Sequence, residues 1–270
     1  MIFTLLLLIP LTYSVEIGND LKFDLQLIKH QPCSFTQGKW TRKIEFEGGN
    51  PTKGPRLESL PDRPGCYSVG GKVNVHNEFS GNFSVYLELR QTASTKGVPE
   101  SCTKQGEDGC GGIGSCLYCD ACSSFGSQIG VQAQLLLNGK SIKCQDGLHP
   151  GVYDDLKLVF CLPSIDDILA TQGLTKDTLL SLIQSEDGRS LRSLSLFATV
   201  YIFDTDVRRQ MQAQHRIEKI YRQENNKHSL FKNEPLPSDV YWSLPFNSII
   251  NKHTAYIACH KIYGNVQIQV

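Results

Sequence analysis

Apolar and polar residues alternate with a period of two in several stretches of this 270-residue chain. That is the pattern of β-strands with one face turned inward. Leu21, Phe23, Leu25 and Leu27 alternate with polar partners, and Phe83, Val85, Leu87 and Leu89 are set against Ser84, Tyr86, Glu88 and Arg90. Val152, Leu156, Leu158 and Phe160 lead into Cys161, and a less polar run from Leu194 to Phe203 includes Leu196, Val200 and Ile202. Near the C-terminus, Ile262, Val266, Ile268 and Val270 alternate with Tyr263, Asn265, Gln267 and Gln269. Parallel strands, covered on both faces, read as unbroken apolar runs, so these belong to antiparallel sheets. The pattern predicts an all-β protein, an antiparallel two-sheet sandwich or cup of immunoglobulin-like form.

Breaks in the alternation set the connections. Residues 48–65 hold four prolines and four glycines and are expected to be a loop, and residues 92–115 are rich in Thr, Ser and Gly. Two regions, about 164–190 and 204–252, predict helical insertions. Ser164 can cap a short turn through Asp166, Asp167, Ile168 and Leu169; Thr175 can cap Lys176 to Gln184, where Leu179, Leu180, Leu182 and Ile183 form an apolar patch. Asp206 to Lys227 is long, polar and basic on balance, with Met211, Ile217, Ile220 and Tyr221 as its few apolar residues, and reads as an exposed helix inserted between two strands. Pro235, Pro237 and Pro245 then return the chain to the sheet. No repeat of solenoid period is visible, so residues 15–270 are expected to form a single β domain.

The first 14 residues, MIFTLLLLIPLTYS, are almost wholly apolar. They are too short to span a bilayer, which takes roughly 20 residues, and end in small residues, as a secretory signal peptide does. Ten cysteines at 33, 66, 102, 110, 116, 119, 122, 144, 161 and 259 agree with export, where an even, dispersed set forms disulfides. The expected destination is extracellular or lysosomal. Asn82-Phe83-Ser84 is a glycosylation sequon. Basic and acidic residues balance at 27 each, which removes any long-range attraction to nucleic acid or to an anionic membrane and leaves ligand recognition to local features.

The densest chemical feature is Cys110-Gly-Gly-Ile-Gly-Ser-Cys116-Leu-Tyr-Cys119-Asp-Ala-Cys122. Zinc sites pair two Cys-x-x-Cys knuckles across 12 to 20 residues, whereas the next cysteine here, Cys144, stands alone. Iron–sulfur spacing and a thioredoxin-type βαβ context are both missing, so structural disulfides are the leading reading, ahead of metal or redox chemistry. Gly109-x-Gly111-x-x-Gly114 matches the dinucleotide fingerprint in form but lacks its strand-to-helix context. The chain carries no H-E-x-x-H, G-x-S-x-G or P-loop motif. Its histidines are scattered, His149 sits before Pro150, and Asp154-Asp155 and Asp166-Asp167 read as surface charge. No enzymatic activity, cofactor or metal is expected.

From the cysteine cluster onward the chain resembles the ML lipid-recognition domain family, and within it the ganglioside activators. The resemblance rests on the strand from Asn82 to Arg90, on Ile113-Gly-Ser-Cys116-x5-Cys122, on Cys144 leading through Gly151-Val-Tyr153 into a strand, on the segment Leu194–Phe203, and on Cys259 followed by Lys261-Ile262 and a terminal strand. It covers roughly residues 66–203 and 255–270. It implies bridges Cys33–Cys259, Cys110–Cys116 and Cys122–Cys144, leaving Cys66, Cys102, Cys119 and Cys161 to pair among themselves. It also implies a cup whose inward residues, Phe83, Val85, Leu87, Leu89, Leu156, Leu158, Phe160, Leu196, Val200 and Ile202, hold acyl chains. The implied partners are a lipid or glycolipid, a hydrolase or another extracellular protein, and transiently a membrane. Phe83, Val85, Leu87, Leu156, Leu158 and Leu196 would equally build a filled core. The competing reading is therefore a secreted structural or signalling module that binds another protein.

Overall fold

The computed structural model describes residues 14–16, 22–34, 42–50, 52–55, 57–63, 66–79, 83–90, 92, 97–121, 132–142, 146–161, 166, 169–170, 175–178, 193–225, 236–252 and 255–269. Fourteen strands are described. They are β1 (Ser14–Glu16), β2 (Lys22–Pro32), β3 (Ile44–Phe46), β4 (Leu57–Ser59), β5 (Cys66–Val69), β6 (Val73–Val75), β7 (Ser84–Arg90), β8 (Leu117–Tyr118), β9 (Gln132–Leu137), β10 (Lys140–Ser141), β11 (Gly151–Tyr153), β12 (Leu156–Cys161), β13 (Ser193–Phe203) and β14 (Tyr256–Gln269). Three helices, α1 (Arg208–Asn225), α2 (Ser238–Ser243) and α3 (Pro245–Lys252), lie between β13 and β14. Within 164–190, Asp166, Leu169, Ala170 and Lys176–Thr178 are helical, and the Thr178 amide donates to Thr175 Oγ1 at 3.2 Å as the expected cap. Residues 1–13 of the expected leader, Asn82, Cys122 and Cys144 lie outside the described residues, while Ser14 of β1 already pairs with Asp24 of β2.

All pairings are antiparallel. A six-stranded sheet runs β1-β2-β14-β13-β7-β8, a five-stranded sheet β10-β9-β12-β5-β4 and a three-stranded sheet β11-β6-β3. The long strands found by alternation form the centre of the first sheet and the middle of the second. The short strands β3, β5 and β6 give too few residues for a period to show. The loop expected at 48–65 contains β4, where Leu57 pairs with Val69 of β5. One tight hairpin is local: Asn138 and Gly139 both take positive φ, 51° and 74°, between β9 and β10. That is the double left-handed conformation a two-residue turn requires and Asn-Gly supplies cheaply.

The inner faces of the sheets share one core. Val85 and Leu87 of β7 and Val200 and Ile202 of β13 meet Leu135, Leu156 and Leu158 from the five-stranded sheet and Ile44, Phe46, Val73 and Val75 from the three-stranded one. Each such side chain removed from water contributes about 1.5–3 kcal/mol.

The other face of the six-stranded sheet corrects the expectation of an exposed helical insertion. Ser84, Tyr86, Glu88 and Arg90, the polar partners in β7, are all buried. Tyr86, Tyr201, Phe203 and Tyr256 form a second core with Val207, Met211, Phe246 and Ile250 from the helical region. The prolines expected to lead the chain back to the sheet do so through two further helices, with Pro237 and Pro245 at the starts of α2 and α3. Proline's fixed φ suits a first helical turn, where its missing N–H would be unsatisfied anyway. β7 is thus covered on both sides, and its alternation reports two environments, not core against solvent.

Candidate functional site

The ten residues expected to hold acyl chains converge between the sheets. Phe83, Val85, Leu87, Leu156, Leu158, Val200 and Ile202 belong to one cluster at 0% to 8% exposure, and Leu89 and Phe160 pack against it half-buried. Leu196 lies in an adjoining cluster around Leu57, Tyr67 and Val69, which it shares with Leu27, Phe160 and Val266. Leu27, Leu196 and Val266 come from the six-stranded sheet and Phe160 from the five-stranded one, and all four are half-buried. The apolar side chains are therefore fully buried along the middle of the sandwich, whereas at this end half-buried ones pack around the buried Leu57, Tyr67 and Val69. The ring of Phe160 stacks on that of Tyr67, its partner across the strand pair, at 5.7 Å.

Two polar side chains interrupt the inner face where β2 and β14 run side by side. His30 and His260 are 3% and 4% exposed, and His30 Nδ1 lies 2.8 Å from His260 Nε2. His30 Nε2 lies 2.8 Å from the Pro55 carbonyl, which can only accept, so the His30 proton sits on Nε2. His30 Nδ1 then accepts from His260 Nε2–H, and His260 Nδ1 is left as a buried lone pair with no hydrogen-bond partner among the described residues. Burial, reinforced by His30, pushes the His260 pKa down from 6.5 to about 3. The pair joins residues 230 apart in sequence, a contact no local pattern announces.

The helix-covered face carries further buried polar groups, Glu88 and Arg90 of β7 among them. Arg90 Nε donates to Glu88 Oε1 at 2.7 Å, and the guanidinium stands 5.7 Å from the Trp242 ring centre of α2. Burial raises the Glu88 pKa against the opposing pull of Arg90, and raises the phenols of Tyr86, Tyr201, Tyr241 and Tyr256. Asn247 of α3 ties the helices together: its backbone amide donates to Gln214 Oε1 of α1 at 3.1 Å and its side-chain Nδ2 to the Tyr241 carbonyl at 2.9 Å. A cavity of about 30 Å³ here is lined by residues including Tyr86, Tyr241, Gln214, Glu100 and Gln105. That holds a water or two and nothing larger.

The cysteine cluster is a disulfide knot. Cys33–Cys259 forms, as the resemblance implies, but Cys110 pairs with Cys119 and Cys116 with Cys102, so the implied Cys110–Cys116 bridge is corrected. Cys66 pairs with Cys161, its directly opposed residue on the neighbouring strand. Gly112, at φ 112°, explains why the knot is glycine-rich: a Cβ there would fall 2.8 Å from Cys102 Sγ and 3.0 Å from Cys116 Sγ. Gly109, Gly111 and Gly114 also take positive φ in these turns. No group of three or more His, Cys, Asp or Glu that could hold a metal ion occurs among the described residues. Asp154 and Asp155 sit exposed in the turn between β11 and β12, and His149 is exposed before β11. No family model matches the chain, and no curated protein matches it.

Proposed function

We propose that this is a secreted lipid-binding protein of the ML type, which takes an acyl chain between its sheets and leaves the polar headgroup at the rim. The four described disulfides and the absence of any described helix long and apolar enough to cross a membrane fit an extracellular protein. The observation that carries the lipid reading is the half-buried apolar end formed by Leu27, Phe160, Leu196 and Val266 from both sheets. There a chain can enter by parting side chains instead of backbone. Each CH₂ moved from water into the core contributes about 0.8 kcal/mol. The binding step is physical, and presentation to a hydrolase or another extracellular protein would follow from the headgroup remaining outside.

The test is a fluorescent fatty-acyl binding assay beside mass spectrometry of solvent extracts from natively purified protein. Leu196→Trp, which fills the half-buried end, is expected to lower acyl binding at least tenfold while the protein stays folded. Lipid-free extracts together with unchanged binding in Leu196→Trp would leave a solid module that acts by binding another protein.

A further inference from the structure

We propose that the outward face of α1 docks the protein onto an anionic lipid bilayer, extending the lipid-binding reading by naming the surface at which lipid is met. Helix α1 lies on the six-stranded sheet through Met211, and its buried Gln214 accepts from the Asn247 backbone amide of α3. At 3.6 residues per turn, Arg209, Arg216, Ile220 and Gln223 fall on the opposite side, flanked by Ile217 and Lys219. Ile217 and Ile220 are 42% and 54% exposed, and Arg209, Arg216 and Lys219 are exposed beside them. The helix buries a glutamine and presents two isoleucines to solvent, which inverts the usual assignment of an amphipathic helix.

Charge names the occupant. The helix has five basic residues (Arg208, Arg209, Arg216, Lys219, Arg222) against two acidic (Glu218, Glu224), while the whole chain is neutral, so the positive field is local. Arg208 pairs with Asp120, and Glu218 accepts from Gln214. No ion pair among the described residues engages Arg209, Arg216 or Lys219. Aliphatic groups that reach the headgroup–acyl boundary, with cations beside them for anionic headgroups, are the requirement for interfacial binding. The Arg and Lys stems can lie along the apolar boundary while their heads stay wet. A protein interface would instead centre on anchors seated in desolvated pockets; here the isoleucines and the cations beside them are all exposed.

The experiment sediments the full chain with phosphatidylcholine vesicles, with and without phosphatidylserine. Binding is expected only when phosphatidylserine is present, and weakens as salt is raised. Arg209→Gln, Arg216→Gln and Lys219→Gln should each weaken it on the order of fivefold, and the pair Ile217→Ser with Ile220→Ser about tenfold. These positions are exposed, so the thermal melts should match wild type. Uptake of a soluble short-chain fluorescent lipid should persist in the isoleucine pair. Vesicle binding that responds to the variants without any such uptake would support this surface and sink the acyl-core reading alone. No phosphatidylserine-dependent binding, or binding unmoved by both classes of variant, overturns the proposal and leaves the face to an acidic protein.

Discussion

His260 makes the acid side of the stability curve a residue-level property. Its folded pKa near 3 lies below the unfolded value of 6.5, so the unfolded chain binds the proton first as pH falls. The contribution is fully present above about pH 6.5 and is lost progressively toward pH 3, at up to about 1.4 kcal/mol per pH unit. Denaturant melts of wild type and His260→Phe between pH 7 and pH 4 should show wild type losing about 1 kcal/mol per pH unit relative to the variant below pH 6. Parallel curves would mean that His260 is protonated in the folded core. The hydrophobic residues behave by depth. Leu158→Ala, at 3% exposure, should cost about 2–5 kcal/mol, whereas Leu196→Ala at the half-buried end should cost well under half of that. Equal losses at the two positions would show an end as tightly packed as the middle.

At the scale of elements, the helices are a layer of the fold. Met211, Phe246 and Ile250 cover Tyr86, Tyr201 and Phe203, and Asn247 holds α1 to α3 through Gln214. Removing α1 would expose part of that aromatic face and leave the buried Asn247 amide without its acceptor. Deletion of residues 206–230 should therefore abolish cooperative unfolding or lower Tm by at least 10 °C, measured by near-UV circular dichroism. The milder Phe246→Ala should cost about 3–5 kcal/mol. A deletion variant that melts cooperatively near the wild-type temperature would return the helix to the status of an exposed insertion. The local composition of α1 is polar and basic because its outer side faces water. Its inner side contributes only three or four anchoring residues, too few to mark it as a core helix.

For the whole molecule, cross-links outweigh any one strand pairing. Cys33–Cys259 closes 226 residues and Cys102–Cys116 only 14. In the loop-entropy account, the longer closure removes more freedom from the unfolded chain, even when the Cys66–Cys161 bridge shortens its effective length. Cys33→Ser with Cys259→Ser should cost about 2 kcal/mol more than Cys102→Ser with Cys116→Ser, read from denaturant midpoints. The reverse order would show that the cysteine knot is held by native contacts of its own.

Periodicity and cysteine number were sufficient for the class of fold: period-two runs place β2, β7, β12, β13 and β14, and an even, dispersed cysteine set announces an oxidised framework. The ten residues singled out as inward-facing pack in two adjoining clusters between the sheets, because a strand's two faces are written in consecutive residues. What alternation could not show is what covers each face. Tyr86, Glu88 and Arg90 look like a solvent side in sequence, and they are buried because helices more than a hundred residues later fold over them. Bridge partners were equally illegible, since neighbouring cysteines at 110, 116 and 119 differ in pairing only through the turns that aim them. The His30–His260 pair depends on β2 meeting β14 across 230 residues. Local pattern selects strands and helices by the period of their side chains, but which buried polar group finds which partner is decided only when distant segments pack.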